Sequence, residues 1–105
     1  MKISIASPGH DLSAEETASI ERDLEKIARR LEKIGDDAIA NVRINNGQAT
    51  KIFTVVLEVS YRRNHVTAKA EDSDMGTALR HAREEALRQI NDRGRGGHSS
   101  YAKHA

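Results

Sequence analysis

The chain contains no cysteine, which removes disulfides and thiolate metal ligation and leaves a reducing compartment open to it. No apolar run approaches the roughly 20 residues that a membrane span needs. Met1 leads straight into the alternation KISIAS rather than into a basic-then-apolar leader, so a cytoplasmic protein without membrane contact is expected. Net charge is nearly absent too: 17 Lys+Arg stand against 16 Asp+Glu, a balance of +1. The overall basic excess of many nucleic-acid binders is missing, so any electrostatic function has to come from how the charges are distributed. No glycine-rich loop follows a strand pattern. The run DRGRGG comes after a helical pattern, where helix-start N–H groups cannot be aimed at a phosphate. The histidines at positions 10, 65, 81, 98 and 104 have neither i,i+4 spacing nor cysteine neighbours, and no metal or cofactor is expected. His10 with Asp11, and Asp72 with Asp74, come nearest to catalytic pairs. Loop carboxylates beside helix starts are ordinarily caps, and no enzyme is expected.

What is present is pattern. The 105 residues suffice for one core and one domain. Although 31% of them are charged, the 37% that are hydrophobic fall in periodic blocks, which argues against disorder. KISIAS alternates Ile3 and Ile5 against Lys2 and Ser4, the period of a half-buried strand, and breaks at Pro8 and Gly9. Ser13 and Glu16 have the spacing of a capping box. After them Ile20, Leu24, Ile27, Leu31 and Ile34 step by four and three as one buried helical stripe, with Gly35 suited to a C-cap. AIANVRIN alternates as a second strand, and NNGQ reads as a turn in which Asn or Gly takes positive φ. Phe53, Val55, Leu57, Val59 and Tyr61 form the inward face of a third strand. The run YRRNH turns the chain into a fourth, with Val66, Ala68 and Ala70 inward. Asp74 is placed to cap a last helix whose Met75, Leu79, Ala82, Ala86 and Ile90 again share a stripe.

The expected order is β-α-β-β-β-α, every strand apolar on one face and both helices amphipathic. This predicts an α+β two-layer sandwich: a four-stranded, largely antiparallel sheet with two helices packed on one face, resembling a double-stranded-RNA-binding domain. The other face, with Lys2, Ser4, Asn41, Arg43, Thr67 and Lys69, is expected to stay wet. Residues 1–93 are read as the domain and 94–105, GRGGHSSYAKHA, as a flexible tail.

The charges are sorted. At about 100° per residue, Arg22, Lys26, Arg29, Arg30 and Lys33 gather opposite the apolar stripe of the first helix, beside an acidic row of Glu21, Glu25 and Glu32. Arg80, Arg83, Arg88 and Arg93 continue the supply on the last helix, with Arg95 just beyond, and Arg62 and Arg63 stand at a hairpin tip. The ordinary reading is a solvated surface laced with i,i+4 pairs. The functional reading is a row of cations that meets successive RNA phosphates.

One combination of motifs adds to this. AKAE at Ala68 to Glu71, then Asp74-Met75, Ala78-Leu79 and Gln89 near a helix end resemble the strand-helix signature of the ribosome hibernation promoting factor family, which includes the ribosome-associated inhibitor A proteins. The first helix is similar to that family's in position, cap and basic second half, and the resemblance spans about residues 2 to 93. Gly76 departs from it, standing where an aromatic residue usually follows Asp-Met. The resemblance implies a factor, monomeric when free, that binds the small ribosomal subunit and its ribosomal RNA rather than DNA. Such a factor overlaps the mRNA and tRNA paths near the decoding centre and silences translation under stress or in stationary phase by steric occupation. It carries over as RNA-binding positions Lys26, Arg29, Arg30, Lys33 and Arg88; Arg22, Arg62, Arg63, Arg80, Arg83, Arg93 and Arg95 are added from charge position alone. A general double-stranded RNA binder, or a protein-interaction module of the same fold, is the alternative.

Overall fold

A computed structural model describes residues 1–8, 11–32, 38–47 and 49–92, together with the backbone of 93 and 94. The elements run β1 (Lys2–Ala6), α1 (Ala14–Glu32), β2 (Ile39–Gly47), β3 (Ile52–Tyr61), β4 (Asn64–Asp72) and α2 (Met75–Gly94). The strands form one sheet in the order β1-β2-β3-β4. β2, β3 and β4 pair antiparallel through tight turns. β1 and β2 pair parallel, Lys2 opposite Ile39 and Ala6 opposite Arg43, because α1 carries the chain back to the starting end between them. Ile34 and Gly35, the last turn and C-cap expected of α1, lie outside the described residues, as do residues 95–105 of the expected tail; Gly94, its first residue, closes α2.

Burial follows the period-2 alternation. Ala40, Val42 and Ile44 of β2, Val55, Leu57 and Val59 of β3, and Val66 and Ala68 of β4 point to one face. There they meet Ile20, Leu24, Ile27 and Leu31 of α1 and Leu79, Ala82, Ala86 and Ile90 of α2 in a single core. The opposite face keeps Lys2, Ser4, Asn41, Arg43, Thr67 and Lys69 exposed, as the alternation predicts.

Both helix starts carry the expected caps. Ser13 N–H donates to Glu16 Oε1 at 2.9 Å while Glu16 N–H donates to Ser13 Oγ at 3.0 Å, so two orphan donors are satisfied reciprocally. At α2, Asp74 Oδ2 accepts from the Thr77 N–H at 2.9 Å and the Thr77 hydroxyl at 2.8 Å. Those bonds hold the Asp74 carboxyl below its ordinary value of 3.8, the Thr77 hydroxyl first, then the Thr77 N–H, with a smaller pull from Arg80 and an opposing push from burial. A carboxyl depressed in the folded state contributes stability above its ordinary value and loses it as pH falls through the lower folded value. The melting temperature is therefore expected to fall as pH drops from about 5 toward 3, and the acid limb of Asp74→Ala to be shallower. An equally steep limb in Asp74→Ala, measured by circular dichroism melts, would contradict this assignment. A Cβ at Gly76 would lie 3.4 Å from Asp74 Oδ2, so the cap leaves this glycine room but no packing reason.

The β2–β3 turn differs from expectation. Asn45, Asn46 and Gly47 stay paired with Thr54, Phe53 and Ile52, and positive φ falls instead on Lys51, at 59°. The cause is Thr50, whose hydroxyl donates to Gly47 O at 3.2 Å and accepts from Ile52 N–H at 3.3 Å, closing the turn one step later. Gly47 is needed for close approach: a Cβ there would stand 2.5 Å from Thr50 Oγ1 and 3.3 Å from the Ile52 carbonyl.

Candidate nucleic-acid interface

The two helices run parallel. Arg83 Nη1 of α2 reaches Asp23 Oδ1 of α1 at 3.5 Å, and about two turns further along both helices Arg30 Nε donates to Asn91 Oδ1 at 2.7 Å. Gln89 Nε2 donates to the Thr67 carbonyl at 2.9 Å, tying α2 to the sheet-edge strand β4. Both helices therefore end at the same end of the sheet, where Lys2, Ile39, Ser60 and His65 form one cross-strand row and the β3–β4 tip turns just beyond. Two helix C-termini present partial negative charge there, which favours cations. Arg29 and Arg30 occupy the last turn of α1, and Arg62 and Arg63 form the neighbouring tip.

The candidate cations separate by position. Arg22, Lys26 and Arg29 are exposed on the outer face of α1, at spacings that put successive side chains about 5–6 Å apart. Arg29 also stands 3.5 Å from Glu25, an exposed pair worth tenths of a kcal/mol. Arg30 is half-buried in the seam through Asn91, and Arg80 is exposed on α2. Arg88 points elsewhere: Glu85 and Asp92 clamp it along α2, and its hydrogen bond is the main reason the Glu85 carboxyl lies below its ordinary value. Among the described residues no carboxylate pairs with Arg22, Lys26, Arg62, Arg63 or Arg80. Lys33, Arg95 and the Arg93 side chain lie outside the described residues.

Arg83 departs most from a surface cation. It is 6% exposed, packed under the helix seam between Asp23 and Glu84. Its position four residues after Leu79 and seven before Ile90 puts it at the edge of the apolar stripe, and that placement was the sequence signal for a seam. Asp23 and Asn91 had no such signal, since only the other helix gives them a partner; Glu84 had none because adjacent side chains on a helix do not ordinarily face each other.

Arg62 adopts φ 54°, the left-handed region that costs a side-chain-bearing residue about 1–2 kcal/mol. It is the first of two residues linking the paired Tyr61 and Asn64, a place hairpins usually give to glycine. Arg62→Gly is expected to raise stability by about 1 kcal/mol in urea melts. Lower stability would show that the tip has another need for the side chain.

On the open sheet face, a shallow depression of about 290 Å³ is bounded by Ser4, Ala6, Asn41, Val56 and the oppositely charged Arg43 and Glu58. Among the described residues no three His, Asp or Glu side chains are grouped to hold a metal, and no helix is long and apolar enough to cross a membrane.

The molecule is thus an α+β two-layer domain whose parallel helices meet at a seam of Arg83 with Asp23 and Arg30 with Asn91, with exposed cations on α1 and an arginine hairpin tip beyond the helix ends. No protein-family model matches the sequence, and no curated protein matches it. Solved structures do match. The chain is similar to the N-terminal domain of Protein Y from Thermus thermophilus, with a TM-score of 0.72 and 20% identity over 86% of this chain and 96% of that one. It is also similar to a ribosomal subunit interface protein from Coxiella burnetii, with a TM-score of 0.75 and 18% identity over 90% of this chain and 98% of that one. At these identities the likeness is one of fold, and it is the α+β fold that the sequence motifs implied.

Proposed function

We propose that this protein binds the small ribosomal subunit as a hibernation factor and silences translation by occupying the region where mRNA and tRNA are decoded. The observation that carries this is the alignment of Arg22, Lys26 and Arg29 beside the α1–α2 seam, leading to Arg62 and Arg63 at one end of the molecule. It sits on a fold shared with a ribosomal subunit interface protein. A rigid surface of this kind grips phosphates by shape, with little reading of bases. No chemical step is required; occupation suffices. With a net charge of only +1, attraction depends on the local row of cations, so binding is expected to weaken steeply with salt.

Co-sedimentation with purified small subunits through sucrose, repeated at rising salt, tests this reading. The protein is expected in the subunit fraction at low salt and free at high salt. Absence from that fraction even at low salt overturns the proposal, and equal affinity for a plain RNA duplex would replace it with general double-stranded RNA binding.

A further inference from the structure

At the seam between the helices the buried Arg83 guanidinium meets two carboxylates, Asp23 Oδ1 at 3.5 Å and Glu84 Oε2 at 2.7 Å. Arg83 Nε and Nη2 both donate to Glu84 Oε2, at 3.2 and 2.7 Å. Lys26 lies about one turn beyond Asp23 on α1, and Arg80 about one turn before Glu84 on α2. The Glu84 carboxyl lies below its ordinary value, chiefly through the hydrogen bond from Arg83, with the charges of Arg83, Lys26 and Arg80 adding and burial opposing.

The Arg83–Glu84 contact is not one that a helix supplies by default, because adjacent side chains do not face each other. Glu84 nonetheless meets a guanidinium that is only 7% exposed and cannot shed its charge. A buried guanidinium requires an anion, since leaving it unpaired is strongly destabilising; Glu84 supplies the close one, with Asp23 farther off at 3.5 Å. Glu84 itself is 59% exposed, so solvent reaches its carboxylate. An arginine guanidinium donates to the oxygens of a carboxylate or of a phosphodiester alike.

We propose that Glu84 is an internal surrogate for phosphate: the place its carboxylate occupies is a phosphate subsite, and a backbone phosphate of bound RNA displaces it to take the bonds of Arg83 between Lys26 and Arg80. This rests on the RNA-facing reading of the seam. It makes Glu84 a tuning residue, which satisfies Arg83 when no ligand is bound and competes with the ligand when one is.

The test uses inorganic tripolyphosphate as the probe, titrated into the full-length ¹⁵N-labelled protein while the Arg83 Nε–H resonance is followed by NMR. Glu84→Gln keeps the shape and removes the charge; Glu85→Gln removes one charge from the same helix on the side that pairs with Arg88. Tripolyphosphate is expected to move the Arg83 resonance in wild type and to bind Glu84→Gln about tenfold more tightly, with a much smaller gain for Glu85→Gln. An unmoved Arg83 resonance in Glu84→Gln overturns the subsite, and so does equal tightening in both variants, which would reflect net charge alone. Small-subunit co-sedimentation of the same proteins separates the two proposals. Tighter tripolyphosphate binding by Glu84→Gln without ribosome binding by any of them would support the subsite and overturn the ribosomal role.

Discussion

Replacing Lys26, Arg29, Arg30 and Lys33 together by glutamine is expected to release the protein from small ribosomal subunits under conditions where wild type co-sediments. Each phosphate contact contributes about 0.7–0.9 to the slope of log affinity against log salt, so losing four lowers that slope by about three. Over a fourfold rise in salt, those contacts alone account for a change of about a hundredfold in affinity. The effect should greatly exceed any loss of stability. Arg29 is exposed with one solvent-screened partner, and Lys26 is exposed. Arg30 is the exception, because its substitution also removes the bond to Asn91. An Asn91→Ala control separates the two effects, since it unties the seam and leaves every cation in place. A quadruple variant that binds with an unchanged salt slope would remove the first helix from the interface.

The largest loss of stability is expected at Leu57. It lies on β3, between β2 and β4, is 0% exposed, and belongs to the core contacted by both helices. Leu57→Ala removes apolar atoms and leaves a cavity that the surrounding strands cannot close, a change that costs about 2–5 kcal/mol. A small domain has a total stability of about 5–15 kcal/mol, so this one truncation removes a large share of it. The urea midpoint should fall sharply, whereas Thr67→Ala on the open face should stay within about 0.5 kcal/mol of wild type. A loss below about 1 kcal/mol at Leu57 would mean that the sheet and helices repack around the gap.

Most of the fold was legible because its signals are local. The alternation in Phe53 to Tyr61 marks a strand wherever it is placed, and Ser13 with Glu16 caps a helix with groups three residues apart. Where a local signal competed with another, reading failed: Asn45, Asn46 and Gly47 looked like a turn, but the Thr50 hydroxyl offered a later closure and the ladder with β3 absorbed them. The candidate site was legible in part. Periodicity alone placed Arg22, Lys26 and Arg29 on one exposed face. The same reasoning treated Arg83 as one more surface cation, although its i,i+4 relation to Leu79 put it at the edge of the buried stripe.

By itself, then, the sequence determined the element order, the inward face of each strand and helix, the two caps and the row of cations on α1. All of these depend on residues within a few positions of one another, where side-chain period and hydrogen-bonding reach act directly. Only the tertiary structure decided that β1 and β2 run parallel, that the helices run side by side in the same direction, and that Arg30 meets Asn91 across a separation of 61 residues. Such meetings follow from burying all the apolar stripes in one core. That burial brings Asp23 to the Arg83–Glu84 pair and leaves a guanidinium buried at the seam between the helices.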